Sequence, residues 1–152
     1  MANIPNTALV LKATCVQEVS VGQLPNIYVL NDFLSDGQLE HLHNTCQCYV
    51  SFSHSEGAGM GAVEAAMRGK PVIIQEHGAT KEYVKTPFLI PCTDVSVGSD
   101  DFLFKSEHMW GEPSVVHLEK YMRQVCAENV REWDHSYTRA EMDKIPLEIM
   151  TL

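Results

Sequence analysis

The sequence predicts an α/β fold in which a mostly parallel sheet is covered by helices on both faces. Short apolar runs alternate along the chain with segments of helical periodicity. These runs are continuously apolar, as in parallel strands that are buried on both sides. With 152 residues, of which 45% are hydrophobic and 20% are charged, we expect a single globular domain over residues 1–152.

The first part of the chain supplies two predicted strands and one helix. Residues 7–13 and 27–30 are apolar runs separated by a polar stretch that contains glycine and proline. A helix follows, because Ser35 and Gln38 have the spacing of a capping box. The next apolar run, residues 48–52, predicts a third strand.

The middle of the chain continues the alternation. Gly69 is expected to end the helix that follows the third strand, and residues 72–74 form a short apolar strand. Residues 78–84 suggest a short helix and residues 88–91 a further strand. Residues 94–111 show no periodicity, so an irregular segment is expected there.

The last part of the chain is predicted to be helical. A helix is expected to begin around Glu112, with one apolar face formed by Val115, Leu118, Met122 and Val125. The polar and aromatic tail, residues 131–152, predicts another helix until Pro146 interrupts it.

The most informative stretch is Ser53 to Ala66, where a glycine-rich turn joins a strand to a helix. Gly57, Gly59 and Gly61 allow the backbone to approach a ligand closely and to adopt positive φ. Free N–H groups at the start of the helix favour an anion. The turn is therefore suited to a phosphate group.

Glu56 and Glu64 lie eight positions apart on either side of this turn. An ionised carboxylate accepts hydrogen bonds and so matches the vicinal hydroxyls of a sugar or ribose ring. For Glu64 an alternative is a purely electrostatic role in the first helical turn, where the helix dipole favours acidic residues. The hydroxyl of Ser53 can also face the turn, and His54 is the histidine closest to this site in sequence.

Charge and residue spacing exclude several other functions. A formal net charge of −9 disfavours nucleic acid as a partner, since phosphate backbones are held by clustered Lys and Arg. Five cysteines without a C-x-x-C spacing, and His41 and His43 only two positions apart, argue against a metal site. No stretch has the length of a transmembrane segment and the start lacks a secretory signal, so we expect a cytoplasmic protein.

From Ser53 to Ala66, followed by Gly-Lys-Pro-Val-Ile at residues 69–73, the chain resembles the nucleotide-sugar-binding half of retaining glycosyltransferases with two Rossmann-like domains. These are GT-B enzymes of family 4, also called glycosyl transferases group 1. Glu56 and Glu64 match the paired glutamates of that family, its EX7E motif. Trp110 to Pro113 resembles a Trp-x-Glu-Pro element of one branch.

The resemblance implies a Rossmann-like α/β/α sandwich that forms one half of a GT-B architecture. It also implies a nucleotide-diphosphate sugar as the donor, retaining transfer of a hexose, and no metal or other cofactor. Glu56 would be the catalytic-site carboxylate that binds the transferred sugar, and Glu64 would bind the ribose hydroxyls. The donor-binding set that the resemblance implies is Ser53, Gly57, Ala58, Gly59, Met60, Gly61, Glu64 and, near the base, Phe33.

The chain departs from the family pattern at its beginning. The acceptor-binding domain and the opening loop of the donor domain, which carries an Arg and a Lys for the diphosphate, have no counterpart here. We therefore expect an incomplete edge at the start of the domain, and a homo-oligomer or a partner chain that supplies the acceptor domain. Two alternatives remain open: a non-catalytic nucleotide-sugar-binding or interaction module with this fold, and a doubly wound protein of unrelated function.

Overall fold

The computed structural model describes residues 6–13, 21–22, 24–100, 102–130 and 132–144. The chain divides into two compact units, Met1–Thr45 and Cys46–Leu152. The prediction of one domain over residues 1–152 stays a prediction.

The first unit contains two parallel strands and a helix. Strand β1 (Leu9–Lys12) pairs with β2 (Ile27–Leu30), with Leu9 opposite Ile27. Both strands lie within the predicted runs. Helix α1 (Asp36–Thr45) follows.

The predicted capping box at the start of α1 is present. The backbone N–H of Ser35 donates to Gln38 Oε1 at 2.9 Å, and the N–H of Gln38 lies 3.4 Å from Ser35 Oγ. These two contacts satisfy N–H groups that have no partner inside the helix.

The second unit is built on three parallel strands in the order β3 (Tyr49–Val50), β4 (Val72–Gln75) and β5 (Leu89–Ile90). Helix α2 (Met60–Met67) joins β3 to β4, and the short helix α3 (Thr80–Tyr83) joins β4 to β5. The predicted α/β alternation and the mostly parallel strands are therefore confirmed.

Successive residues of β4 point to opposite faces, which builds a core on each side of the sheet. Val72 and Ile74 pack with Ala62, Val63, Ala65 and Ala66 of α2. Ile73 packs with Phe88, Ile90 and Val125 on the other face. All four residues of β4 are fully buried, which explains why this strand is continuously apolar up to Gln75.

The prediction of an irregular segment at residues 94–111 is wrong at both ends, where residues 94–96 and 109–111 belong to strands; the described residues between them form no helix or strand. Strands β6 (Cys92–Ser96) and β7 (Met109–Pro113) pair antiparallel as a hairpin, with Asp94 opposite Gly111. Most of its side chains are exposed or half-buried, so the hairpin depends on backbone pairing and carries no alternating apolar pattern. Its long connection is held by Asp100, which accepts from the N–H of Ser106 at 2.8 Å.

Helix α4 (Val115–Ala127) begins after Ser114, whose side chain accepts from the N–H of His117. The predicted start around Glu112 is too early, because Glu112 and Pro113 belong to β7. Leu118, Met122 and Val125 face the core as predicted. Val115 does not: it is 64% exposed, because the first turn of α4 extends beyond the packed cluster.

The tail forms helix α5 (Ser136–Met142), which confirms helical structure in part of residues 131–152; Pro146 lies outside the described residues. The tail is anchored at the end of α2, where the N–H of Trp133 donates to Gly69 O at 2.9 Å. The ring Nε2 of the buried His135 donates to Lys70 O at 2.8 Å.

Candidate functional site

The glycine-rich turn lies between the end of β3 and the start of α2, as the sequence predicts. Gly59 is the N-cap of α2, with φ 66° and ψ 50°. This left-handed conformation favours glycine. No side chain in the described part of the chain caps the helix, and the N–H groups of its first turn have no carbonyl four residues earlier inside the helix. Such N–H groups bind anions.

The loop after β4 supports this turn from beside it. The N–H of Ala79 donates to Glu56 O at 3.3 Å, and Thr80 Oγ1 donates to Gly57 O at 3.4 Å. A Cβ at Gly59 would collide with the Thr80 side chain. The turn is thus held against a second loop at the carboxyl ends of adjacent strands, where open parallel sheets bind ligands.

Tyr49 lies beneath the turn, where its phenol group is affected by the charges of both glutamates. Its half-buried side chain lies so close to Gly61 that a Cβ there would be 2.9 Å from Tyr49 Cζ. Burial raises the pKa of Tyr49 above its ordinary value, and the charges of Glu56 and Glu64 raise it further. Both carboxylates therefore act on the same phenol group. Glu56 and Glu64 are themselves half-buried.

Ser53 is the middle member of a chain of three polar side chains. Its Oγ accepts from Gln75 Nε2 at 3.0 Å and lies 3.3 Å from Ser51 Oγ. Gln75 is fully buried at the end of β4, and its Oε1 has no hydrogen-bond partner among the described residues. Because the amide of Gln75 donates to Ser53, the Ser53 hydroxyl keeps its own hydrogen, which it can donate to Ser51 Oγ or to a ligand.

The β6–β7 hairpin also contacts the turn. His54 Nε2 lies 2.7 Å from Glu112 Oε2, and its ring is stacked on Trp110 with centroids 4.4 Å apart and planes at 14°. The N–H of Gly111 donates to His54 O at 3.1 Å. A second histidine, His77, has its Nε2 3.8 Å from Asp94 Oδ1.

A pocket of about 330 Å³ lies beside these residues, in the second unit. It is lined by Glu76, His77, Gly78, Lys81, Cys92 and Asp94. None of the donor-binding residues predicted from the sequence lines it. This pocket belongs to the loop after β4 and the start of β6.

The structure therefore brings together almost all of the predicted site residues. Ser53 and Glu56 lie in the turn. Glu64 is the fifth residue of α2, so its predicted place in the first helical turn is wrong: the helix begins only at Met60. The glycines between them occupy the turn and the start of the helix, with Met60, which is 50% exposed, as the first helical residue. Phe33 belongs to the first unit and is 89% exposed. Its contact with the base stays a prediction.

Sequence reasoning missed three residues that shape the site. Tyr49, Gln75 and Thr80 contact the turn or the residues that support it. Gln75 carried a signal, because it is a polar residue that directly extends a fully apolar strand. Tyr49 and Thr80 carried none, since both residue types are common in strands and at helix starts.

The described part of the chain contains no group of three or more His, Cys, Asp or Glu side chains placed to hold a metal ion. Cys46, Cys48, Cys92 and Cys126 are free and partly buried, and Cys15 lies outside the described residues. No helix formed by the described residues has the length and apolar character needed to cross a membrane.

Comparison with known proteins agrees with the geometry of the turn. Residues 22–96, about half of the chain, match the family model described as glycosyl transferases group 1. This segment contains β2, β3, the whole glycine-rich turn, α2 and β4. No curated protein matches the chain. Residues 22–96 of this chain belong to the family glycosyl transferases group 1.

Proposed function

We propose that the chain binds a nucleotide-diphosphate sugar at the turn between β3 and α2 and presents it for retaining transfer of a hexose. In this proposal the N–H groups of Gly57 to Gly61 hold the diphosphate, Glu64 binds the ribose hydroxyls and Glu56 binds the sugar. Ser53 donates its hydroxyl hydrogen to a phosphate or sugar oxygen. No metal is required.

The observation that carries this proposal is the arrangement of two half-buried carboxylates around an uncapped helix start. The hydroxyl groups of a sugar ring donate hydrogen bonds to carboxylates. A diphosphate accepts hydrogen bonds from N–H groups at a helix start. The charges of Glu56 and Glu64 both raise the pKa of Tyr49, after burial, so the negative charge of both carboxylates is felt beneath the turn. A nucleotide sugar contains both kinds of group in one molecule, with the diphosphate between two polyhydroxylated rings.

In this proposal the acceptor binds to another domain or chain of GT-B type, or to a second copy of this chain. An oligomer or partner complex in the cytoplasm would then form the complete enzyme. This part of the proposal depends on the family relationship of residues 22–96.

The test is calorimetric titration of the protein with UDP, GDP and ADP and with their hexose conjugates. We expect one nucleotide series to bind saturably. Glu64→Gln should lower the affinity for the free nucleotide and for its hexose conjugate by the same factor, because the ribose is common to both. Glu56→Gln should lower only the affinity for the hexose conjugate. Loss of one hydrogen bond to a charged group corresponds to about a 10- to 100-fold change in Kd.

Glu128→Gln provides the matched control, since Glu128 is exposed at the end of α4. It removes the same charge without touching the turn and should leave all affinities unchanged. Absence of binding for all three series at millimolar concentration contradicts the proposed function. Equal weakening by Glu56→Gln and Glu128→Gln contradicts the assignment of the sugar to Glu56.

A second candidate, a nucleotide-sugar-binding module without turnover, is favoured by one observation. No Lys or Arg occurs between Ala13 and Met67, the segment that contains the whole turn. The diphosphate would then be held by N–H groups without a basic side chain from this segment, so the leaving group would receive less charge stabilisation. Binding of the nucleotide sugar without release of free nucleotide, even with candidate acceptors, identifies this second function.

A further inference from the structure

The end of the β6–β7 hairpin makes three contacts with a single residue of the turn, His54. Glu112 lies at hydrogen-bond distance from the ring Nε2, at 2.7 Å, and Trp110 covers the ring face with centroids 4.4 Å apart. Between them, Gly111 donates its N–H to the His54 carbonyl at 3.1 Å. Backbone and side chain of His54 are therefore held at once, two positions before Glu56.

The same hairpin also packs against the loop after β4, and this loop contacts the backbone of Glu56. A Cβ at Gly111 would lie 2.5 Å from the Cβ of His77, so β7 and the loop after β4 are in close contact. Two residues further along that loop, the N–H of Ala79 donates to the carbonyl of Glu56 at 3.3 Å. The backbone around Glu56 is thus restrained through His54 and through Ala79, and both restraints lead to β7.

These contacts occupy part of the His54 ring, although 43% of the side chain stays exposed. Its Nε2 is engaged by Glu112 and one face of its ring is covered by Trp110, which in turn packs edge-on against Phe104 with centroids 5.9 Å apart. A positioning role fits this geometry, because the fixed imidazole determines where the following residues lie.

We propose that Trp110 and Glu112 are positioning residues that fix the carboxylate of Glu56 through His54, and so determine how well the site distinguishes a nucleotide sugar from the free nucleotide. The distinction between the two ligands rests on the proposed function; the restraint of Glu56 by β7 does not. Among the proposed ligand-binding groups, Met60, Gly61 and Glu64 belong to α2, which is anchored in the core through Ala62, Val63 and Ala66. Loosening the hairpin should therefore affect the sugar end of the ligand and leave the nucleotide end unchanged.

The test compares Glu112→Ala with Glu112→Gln. The Gln side chain keeps an oxygen that accepts from His54 Nε2, whereas the Ala side chain does not. We expect Glu112→Ala to lower the ratio of hexose-conjugate affinity to free-nucleotide affinity by about tenfold, with the free-nucleotide affinity unchanged. Glu112→Gln should restore most of the ratio. Glu107→Ala, an exposed carboxylate in the same hairpin, is the control.

Amide hydrogen exchange supplies a readout that needs no ligand. In Glu112→Ala the amides of Gly111 and Ala79 should exchange several-fold faster, and Glu112→Gln should resemble the wild type. A merely structural contribution would accelerate exchange throughout the second unit, including the amide of Ser51 in the core, which donates to Ile73 O.

The outcomes separate the two proposals. A wild-type protein that binds no nucleotide contradicts the proposed function, whatever the exchange shows. Unchanged exchange at Ala79 in Glu112→Ala contradicts the restraint of Glu56, whether or not nucleotide binds. If wild type binds but Glu112→Ala keeps the same affinity ratio, the role of the hairpin in discrimination is refuted.

Discussion

Gly61 provides the sharpest test of the packing beneath the turn, because its substitution by alanine has two opposing effects on stability: a clash with Tyr49 and a gain in helix propensity. In Gly61→Ala the new methyl group would lie 2.9 Å from Tyr49 Cζ and 3.2 Å from Cε2, and closer still to the hydroxyl oxygen. Gly61 is a helical residue of α2. Alanine there improves helix propensity by about 1 kcal/mol.

The clash outweighs this gain. Inserting a methyl group into a packed region costs about 1–3 kcal/mol, and the clash involves three atoms of the Tyr49 side chain, so the upper half of that range applies. The expected net loss is about 1–2 kcal/mol in the free energy of unfolding, or a Tm lower by about 2–8 °C for a chain of this size. Urea and thermal unfolding followed by circular dichroism measure it.

Two comparison variants make the result specific. Gly57→Ala should change stability by less than about 0.5 kcal/mol, since no atom of the residues that the structure describes lies within 4 Å of a Cβ at that position. Adding Tyr49→Phe to Gly61→Ala removes the closest atom and should recover part of the loss, as measured by a double-mutant cycle. A Gly61→Ala protein as stable as the wild type would refute the close packing of Tyr49 under α2.

Three other predictions concern the core and the buried titratable groups. Ile73→Ala should cost about 2–5 kcal/mol of unfolding free energy, because Ile73 is fully buried. Val116→Ala is the control: Val116 is 76% exposed, so its removal should change the unfolding free energy by less than about 0.5 kcal/mol. Equal urea midpoints for the two variants would contradict the core assignment. Burial lowers the pKa of His135 below its ordinary 6.5, so the unfolded chain takes up the proton first and stability should fall as the pH drops below 6.5. His135→Gln should flatten that fall, and an unchanged slope would show that His135 is not the group responsible. Burial raises the pKa of Cys48 from 9.0 to about 12, so stability should decline as the pH rises from about 9 towards 12; Cys48→Ala should reduce this decline in denaturant titrations, and an equal decline in both proteins would count against a buried thiol.

The strand–turn–helix unit at residues 49–67 could be predicted because its signals are local. An apolar run, spaced glycines and a following helical pattern all lie within twenty residues. The capping box at Ser35 and Gln38 was predictable for the same reason, since both partners lie within one helical turn.

What supports the turn could not be predicted, because the contacts are distant in sequence. Thr80 meets Gly57 across 23 positions, and Glu112 meets His54 across 58. The hairpin that brings Glu112 there pairs through backbone hydrogen bonds, which leave no periodic apolar pattern. The sequence therefore indicated the residues of the candidate site but not the elements that fix them.

The central claim is that the N–H groups at the start of α2 hold a diphosphate. The most direct measurement is the change in backbone amide chemical shifts as the nucleoside diphosphate that binds in calorimetry is added to ¹⁵N-labelled protein. The account predicts that the largest shifts cluster at Gly57 to Gly61 and saturate with the calorimetric Kd. Saturating shifts that cluster elsewhere and leave these amides unchanged would contradict it.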